Sequence, residues 1–176
     1  MRNGVSSLNI LGVILCPLSQ SAASNEAEAA IDTVLDTFHR AASEADGELY
    51  FSLFSDNAVF IGTDITERWS IDQFKAFAEP YFSKGQGWTY VPGVRHIVML
   101  PGGGAAQFDE ILVNESYGTC RGTGVLVLTH AGWRISQYSL TIPIPNELAR
   151  DVVGLIKEFE AEQEATAEDP AKPALQ

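Results

Sequence analysis

The apolar positions in the first third of the chain repeat with the period of an α-helix. From about Glu26 to Ala45, apolar side chains recur every three or four residues, which predicts an amphipathic helix. The pair Asp46-Gly47 ends this pattern, and a short second helix is predicted from Leu49 to Phe54. The segment "NAVFIG" (57–62) is rich in β-forming residues and ends in glycine, so it predicts a strand.

A third helix has a clear predicted start. Ser70 is an N-cap candidate, Gln73 completes a capping box three residues later, and Trp69 can pack on Phe74 as a hydrophobic staple. Pro80 removes one backbone donor and should kink or end this helix. The side chains predicted to face the core are Phe74, Phe77, Ala78 and Tyr81.

After Gly87 the apolar pattern changes to the alternation of β-strands. Four strands are predicted, and the first of them, 88–100, should be bulged at Pro92-Gly93. Turns rich in glycine or asparagine connect these strands in meander order. Helices that precede a mainly antiparallel sheet indicate the α+β class, in which the helices pack on the concave face of a curved sheet.

The segment "YGTCRGTG" (117–124) has many glycines but does not match a phosphate-binding loop. No lysine follows the glycines, and the next residues are strand-forming instead of helix-forming. In a strand, the polar side chains of this segment fall on one face, while its glycines and Cys120 fall on the other. A bare strand face lets another element approach closely. We therefore expect a pocket-wall strand, with Cys120 as a small buried apolar residue instead of a reactive thiol.

The two ends of the chain are predicted to lie outside the domain core. Residues 1–24 resemble a signal peptide, with cleavage between Ala23 and Ser24 and hence a periplasmic or secreted protein. The alternative is a disordered or weakly helical leader, in which case the protein is cytoplasmic. Residues 25–146 are the predicted domain, 147–165 a C-terminal amphipathic helix, and 166–176 a disordered acidic tail.

Composition and charge exclude several classes of partner. The chain has 176 residues, 45% of them hydrophobic, which is enough for the core of one domain. Its formal net charge of −12 repels phosphate backbones, so we expect no nucleic-acid partner. The sequence has no apolar run long enough to span a membrane, so no stable membrane insertion is expected once the signal is removed.

Three segments of the chain resemble the SnoaL-like branch of the nuclear transport factor 2-like superfamily. They are "AIDTVLDTFHRAASEADGELYFSLFSDNAVFIGTD", "WSIDQFKAFAEPYF" and "GWRISQYSLTIPIPNEL". The resemblance implies a cone-shaped α+β fold with a pocket between the helices and the sheet, often in a homodimer. It also implies a small-molecule site, which in some relatives is catalytic and in others is not.

The catalytic residues of the ketosteroid isomerase branch of this superfamily are not found at the corresponding positions of this chain. The position of its general-base aspartate falls on Ile61, with Asp64 further along, and its oxyanion tyrosine falls near Phe38 or His39.

Two adjacent carboxylates are the candidates for acid–base catalysis. Asp109 and Glu110 follow one another in a predicted strand, so only one of them can face the interior. Apolar walls raise the pKa of a carboxyl group, which then serves as a general acid or base. The alternative is a carboxylate that simply pairs with Arg95 or Arg121.

Four other side chains are candidates for ligand binding. Arg121 can neutralise an anionic ligand, unless it forms an ion pair across the sheet. Gln137 and Tyr138 are neighbours, so one of them faces inward to orient a ligand. Trp69 offers an indole platform, unless it serves only as the staple.

The three histidines lack metal-ligand spacing, so no metal and no cofactor are expected. The expected ligand is a small hydrophobic or weakly anionic molecule, bound with or without proton-transfer chemistry such as isomerisation, dehydration, cyclisation or hydrolysis. The other reading is a non-catalytic binding module, or an assembly module that dimerises through the outer face of the sheet.

Overall fold

The computed structural model describes residues 17–168, with side chains described for residues 23–166. Within this range the chain forms four α-helices and six β-strands. The helices are α1 (Pro17–Ser43), α2 (Gly47–Ser52), α3 (Ile71–Phe82) and α4 (Ala149–Glu168). The strands are β1 (Phe54–Ile61), β2 (Arg68–Ser70), β3 (Val91–Met99), β4 (Ala105–Asn114), β5 (Gly118–Thr129) and β6 (Gly132–Thr141).

The six strands form one curved, unclosed sheet in the order β2-β1-β6-β5-β4-β3. All neighbouring pairs are antiparallel except β1 and β6, which are parallel. The α+β prediction with a mainly antiparallel sheet is therefore confirmed. The bulge predicted at Pro92-Gly93 is also present, since the pairing of β3 with β4 shifts between Pro92 and Arg95.

Helix α1 covers the concave face of the sheet with one apolar stripe. Ile31, Leu35 and Phe38 on this stripe are at most 3% exposed, and they belong to one core cluster with inward residues of β4, β5 and β6. Burial of each such side chain contributes about 1.5–3 kcal/mol relative to leaving it in water. The stripe therefore fixes which side of α1 faces the sheet.

The start of α3 is as predicted, but its buried face is not. Ser70 and Gln73 form the capping box, and the rings of Trp69 and Phe74 stack with centroids 5.6 Å apart. The core-facing prediction is wrong for Phe77 and Tyr81, which are 44% and 47% exposed. The buried residues of α3 are Phe74, Ala78 and Phe82. Pro80 does not end the helix, which continues to Phe82.

Both ends of the described chain are helical. Helix α1 begins at Pro17, earlier than the sequence indicates, and it runs through the proposed cleavage point between Ala23 and Ser24. Residues 1–16 lie outside the described residues, and the signal peptide stays a prediction. Helix α4 extends to Glu168, past the predicted end at residue 165, whereas 169–176 lie outside the described residues.

Several large apolar side chains face solvent. On the outer face of the sheet, Val94, Val98 and Val113 are each more than half exposed, and Leu155 and Phe159 of α4 are exposed above 60%. The homodimer expected from the resemblance stays a prediction. Among the described residues, no helix combines the length and apolar character that a membrane crossing requires.

Candidate functional site

A pocket of about 250 Å³ lies between the helices and the concave face of the sheet. Ten of its sixteen lining residues are Phe, Tyr or Trp, so its walls consist mainly of aromatic rings. Pockets for drug-sized ligands measure about 300–1,000 Å³, and this one therefore suits a smaller molecule. Its lining residues come from α1, α2, α3, β1, β2 and β6 and from the loops between them.

The inner end of the pocket is formed by two polar side chains that share a buried carboxylate. His39 on α1 and Tyr138 on β6 both line the pocket and are 5% and 2% exposed. His39 Nε2 lies 2.7 Å from Glu110 Oε1, and the Tyr138 hydroxyl donates a hydrogen bond of 3.0 Å to the same oxygen. Glu110 on β4 is fully buried behind them.

Arg95 on β3 holds the other oxygen of this carboxylate. Its Nε donates to Glu110 Oε2 at 2.8 Å, and its Nη2 lies 2.8 Å from the same atom. Its Nη1 bonds to the carboxylates of Asp32 and Asp36, which lie one turn apart on the solvent side of α1. The guanidinium therefore ties the sheet to α1 and neutralises a charge that would otherwise be costly to bury.

Glu110 is ionised in this environment. Burial alone would raise its pKa, but the hydrogen bond from His39 and the ion pair with Arg95 outweigh burial and lower the pKa below its ordinary value. An ionised carboxylate can only accept hydrogen bonds, so His39 Nε2 carries a proton and donates it to Glu110. The Nδ1 atom of His39 makes no hydrogen bond to the described residues and is the ring nitrogen left for a ligand.

Three tyrosines of the pocket, Tyr50, Tyr90 and Tyr138, keep their protons at neutral pH. Burial, reinforced by the Glu110 charge, raises the pKa of Tyr138 well above its ordinary value, and burial does the same for Tyr50. Burial also raises the pKa of Tyr90 to about 12. The buried hydroxyl of Tyr50 has no hydrogen-bond partner among the described residues.

The glycines of β5 make room for this polar group. Gly122 pairs with Glu110 in the neighbouring strand, and a Cβ atom at Gly122 would overlap the Tyr138 hydroxyl and lie 3.0 Å from Glu110 Oε1. A Cβ atom at Gly124 would overlap the backbone oxygen of Gln137. The bare face predicted for this strand therefore lets β4 and β6 bring their side chains together. Cys120 on the same face is fully buried, and burial raises the pKa of its thiol.

The structure brings three of the candidate site residues to the pocket region. Glu110 faces inward, whereas Asp109 faces outward, where its carboxylate lies 3.3 Å from His96 Nδ1. Tyr138 and Trp69 line the pocket.

The expectation that Arg121 and Gln137 assist the inward carboxylate is corrected. Both are exposed on the outer face, because each lies on the opposite side of the pleat from a buried neighbour in its strand. Of the two alternatives for the inward carboxylate, the structure shows the pairing with Arg95, and the pKa of Glu110 is lowered by its donors instead of raised by apolar walls.

His39 was not among the predicted site residues. It lies next to Phe38 and one turn after Leu35 in the apolar stripe of α1, so a polar residue at this position was a signal of an inward imidazole. Arg95 was considered only as an ion-pair partner. Within the described residues, no group of three or more His, Cys, Asp and Glu side chains is arranged to hold a metal ion.

The helices and the curved, mixed, unclosed sheet define an α+β cone fold of the nuclear transport factor 2-like type. The sequence profile of the SnoaL-like domain matches residues 31–145, and the chain belongs to this family. No curated protein sequence matches the chain.

Solved structures share the fold at low sequence identity. A domain of unknown function with a cystatin-like fold from Nostoc punctiforme superposes with a TM-score of 0.63 at 17% identity, over 83% of this chain and 96% of the other. A nuclear transport factor 2-like protein from Novosphingobium aromaticivorans gives 0.59 at 14% identity, over 80% and 97%. A protein from the same organism that is proposed to be a scytalone dehydratase gives 0.60 at 10% identity, over 70% and 89%.

Proposed function

We propose that the protein binds a small, largely apolar molecule in the aromatic pocket. The observation that carries this proposal is the combination of a pocket volume of about 250 Å³ with walls made mainly of aromatic rings. Ligand sites of this type have apolar walls and a few convergent polar groups that orient the ligand. His39 and Tyr138 are such groups, since both line the pocket and both are fixed by Glu110.

A pocket-blocking substitution tests the binding proposal. Thr63 is exposed and lines the pocket, so Thr63→Trp should obstruct it without disturbing the core. We expect phenylacetone to raise the melting temperature of the unmodified protein, because a ligand at 100 times its dissociation constant adds about 2.7 kcal/mol of stability. The Thr63→Trp variant should lose most of this shift.

The matched control lies in the same loop. Ile65 is 98% exposed and does not line the pocket, so Ile65→Trp adds the same ring without obstruction and should keep the full shift. An equal shift in all three proteins would place binding elsewhere and contradict the proposal.

A second candidate function, proton-transfer catalysis, is favoured by the arrangement of His39 and Glu110. An anionic carboxylate that accepts the hydrogen bond from Nε2 fixes the tautomer and the orientation of the ring, which leaves Nδ1 unprotonated in the neutral imidazole. Nδ1 can then take a proton from a bound molecule as a general base. Glu110 acts through His39 and does not line the pocket, so it is a positioning residue.

Deuterium exchange tests the catalytic candidate. Phenylacetone carries acidic C–H bonds next to its carbonyl, and their exchange in deuterium oxide can be followed by NMR. A positioned general base contributes about 10²–10⁴-fold, so His39→Gln should slow catalysed exchange at least 100-fold. The control is His96→Gln on the outer sheet face, which should keep the unmodified rate. If phenylacetone binds but its exchange is not catalysed, the catalytic candidate is contradicted and only the binding function remains.

A further inference from the structure

The walls of the pocket present several aromatic rings in nearly parallel planes. The Trp69 ring makes an angle of 9° with Phe74 and 21° with Phe77, at centroid distances of 5.6 and 4.8 Å. Phe60 lies at 14° to Phe74 and at 10° to Tyr138. These rings stack on one another, and a ring face that no neighbouring ring covers carries negative electrostatic potential and attracts a positive charge.

The charge carried by the acidic and basic side chains that line the pocket is negative. Glu67 is the one carboxylate among the described lining residues, and none of these is Lys or Arg. Its Oε2 accepts a hydrogen bond from the Asp64 amide, which holds the carboxylate beside Gly62 at the pocket.

The surroundings of the inner wall also carry more negative than positive charge. Behind His39 a single guanidinium, that of Arg95, faces the three carboxylates of Glu110, Asp32 and Asp36. The whole chain has a formal charge of −12. Such a field increases the local concentration of cations and disfavours anions. A weakly anionic ligand was expected because of Arg121, which lies on the outer face of the sheet.

We infer that the pocket selects an organic cation: a small apolar body with a positively charged alkylated nitrogen, held against the ring faces beside Glu67. This inference rests on the proposed binding function and adds the chemical class of the ligand. The alkyl groups on such a nitrogen pack against the apolar walls, while its positive charge interacts with the ring faces and with the Glu67 carboxylate. Phe77 is 44% exposed and Glu67 is partly exposed, whereas His39 is buried, so the cationic end lies toward the mouth and the apolar body points to His39.

Two probes of nearly equal shape separate charge from size. Phenyltrimethylammonium and tert-butylbenzene differ by one positive charge, and binding of both can be measured by titration calorimetry. A desolvated cation–π contact contributes up to about 2 kcal/mol, and a factor of ten corresponds to 1.4 kcal/mol. We therefore expect Glu67→Gln to weaken binding of the cation about tenfold, and Phe77→Leu to weaken it by a similar factor. Binding of tert-butylbenzene to Glu67→Gln should change less than twofold.

Glu79→Gln is the matched control, because Glu79 is an exposed carboxylate of α3 that does not line this pocket. It should leave the affinity for the cation unchanged. If tert-butylbenzene binds and phenyltrimethylammonium does not, or if Glu67→Gln binds the cation as tightly as the unmodified protein, the cation inference is overturned while the binding function stands. If neither probe binds while phenylacetone does, the cation inference alone is overturned, and if none of the three binds, both proposals are overturned.

Discussion

Replacing Glu110 by alanine is expected to lower the free energy of unfolding by about 3–5 kcal/mol, the usual cost of breaking a buried ion pair. The substitution leaves Arg95 with a buried charge that has lost its inner partner, and it removes the acceptor of His39 Nε2 and of the Tyr138 hydroxyl. Urea denaturation followed by circular dichroism measures the change. Asp109→Ala is the control, because this neighbouring carboxylate faces solvent and should cost less than about 0.5 kcal/mol.

The same carboxylate gives the stability a defined dependence on pH. The pKa of Glu110 is lower in the folded protein than in the unfolded chain, so its stabilisation is fully present above the unfolded pKa of about 4.3 and is lost as the pH falls through the folded value. Glu110→Gln keeps the shape of the side chain but cannot ionise. Its unfolding free energy should therefore decline less steeply than that of the unmodified protein below about pH 4. Parallel pH profiles for the two proteins would contradict the assignment of an ionised, donor-paired Glu110.

Replacing Gly124 by alanine is expected to cost about 3 kcal/mol of unfolding free energy. The added Cβ overlaps the backbone oxygen of Gln137 and lies 2.8 Å from the Phe108 ring. Strands β5 and β6 must therefore move apart to remove the overlap. This movement also displaces Tyr138, which pairs with Gly124 in the sheet. Thermal unfolding measures the loss of stability.

Gly104→Ala is the matched control for this prediction. Gly104 precedes β4, and a Cβ atom there meets no atom within 4 Å. Its melting temperature should stay within about one or two degrees of the unmodified protein, since surface changes fall within about ±0.5 kcal/mol. Equal stability of the two alanine variants would show that the bare face of β5 is not needed for close packing.

The sequence was informative where a local rule decides the structure. The capping box of α3 and the bare glycine face of β5 follow from interactions between residues that are close along the chain or alternate within one strand. The inward direction of Glu110 also followed a readable rule, because Phe108 and Leu112 share its face. The alternation in this strand was therefore sufficient to predict that Glu110 faces inward and that Asp109 faces outward.

Other features of the site depend on contacts that no local pattern specifies. Alternation does not settle whether Gln137 or Tyr138 faces inward, because the pairing of β5 with β6 shifts next to Ile135 and changes the parity along the strand. The pKa of Glu110 depends on His39 and Arg95, which lie far away along the chain. The sequence alone could not separate a carboxylate raised by apolar walls from one lowered by donors, because the answer depends on which partners the fold brings there.

The parallel pairing of β1 with β6 has a consequence for how the chain folds. The antiparallel hairpins of β3 to β6 join segments that are near each other along the chain. Strand β1, in contrast, pairs with β6, which follows it by about 80 residues. Because synthesis proceeds from the N-terminus, Phe54–Ile61 leaves the ribosome before its neighbour on the core side exists. Phe60 and Tyr138 come from these two strands and both line the pocket, so the ligand site is completed only after nearly the whole domain has been synthesised.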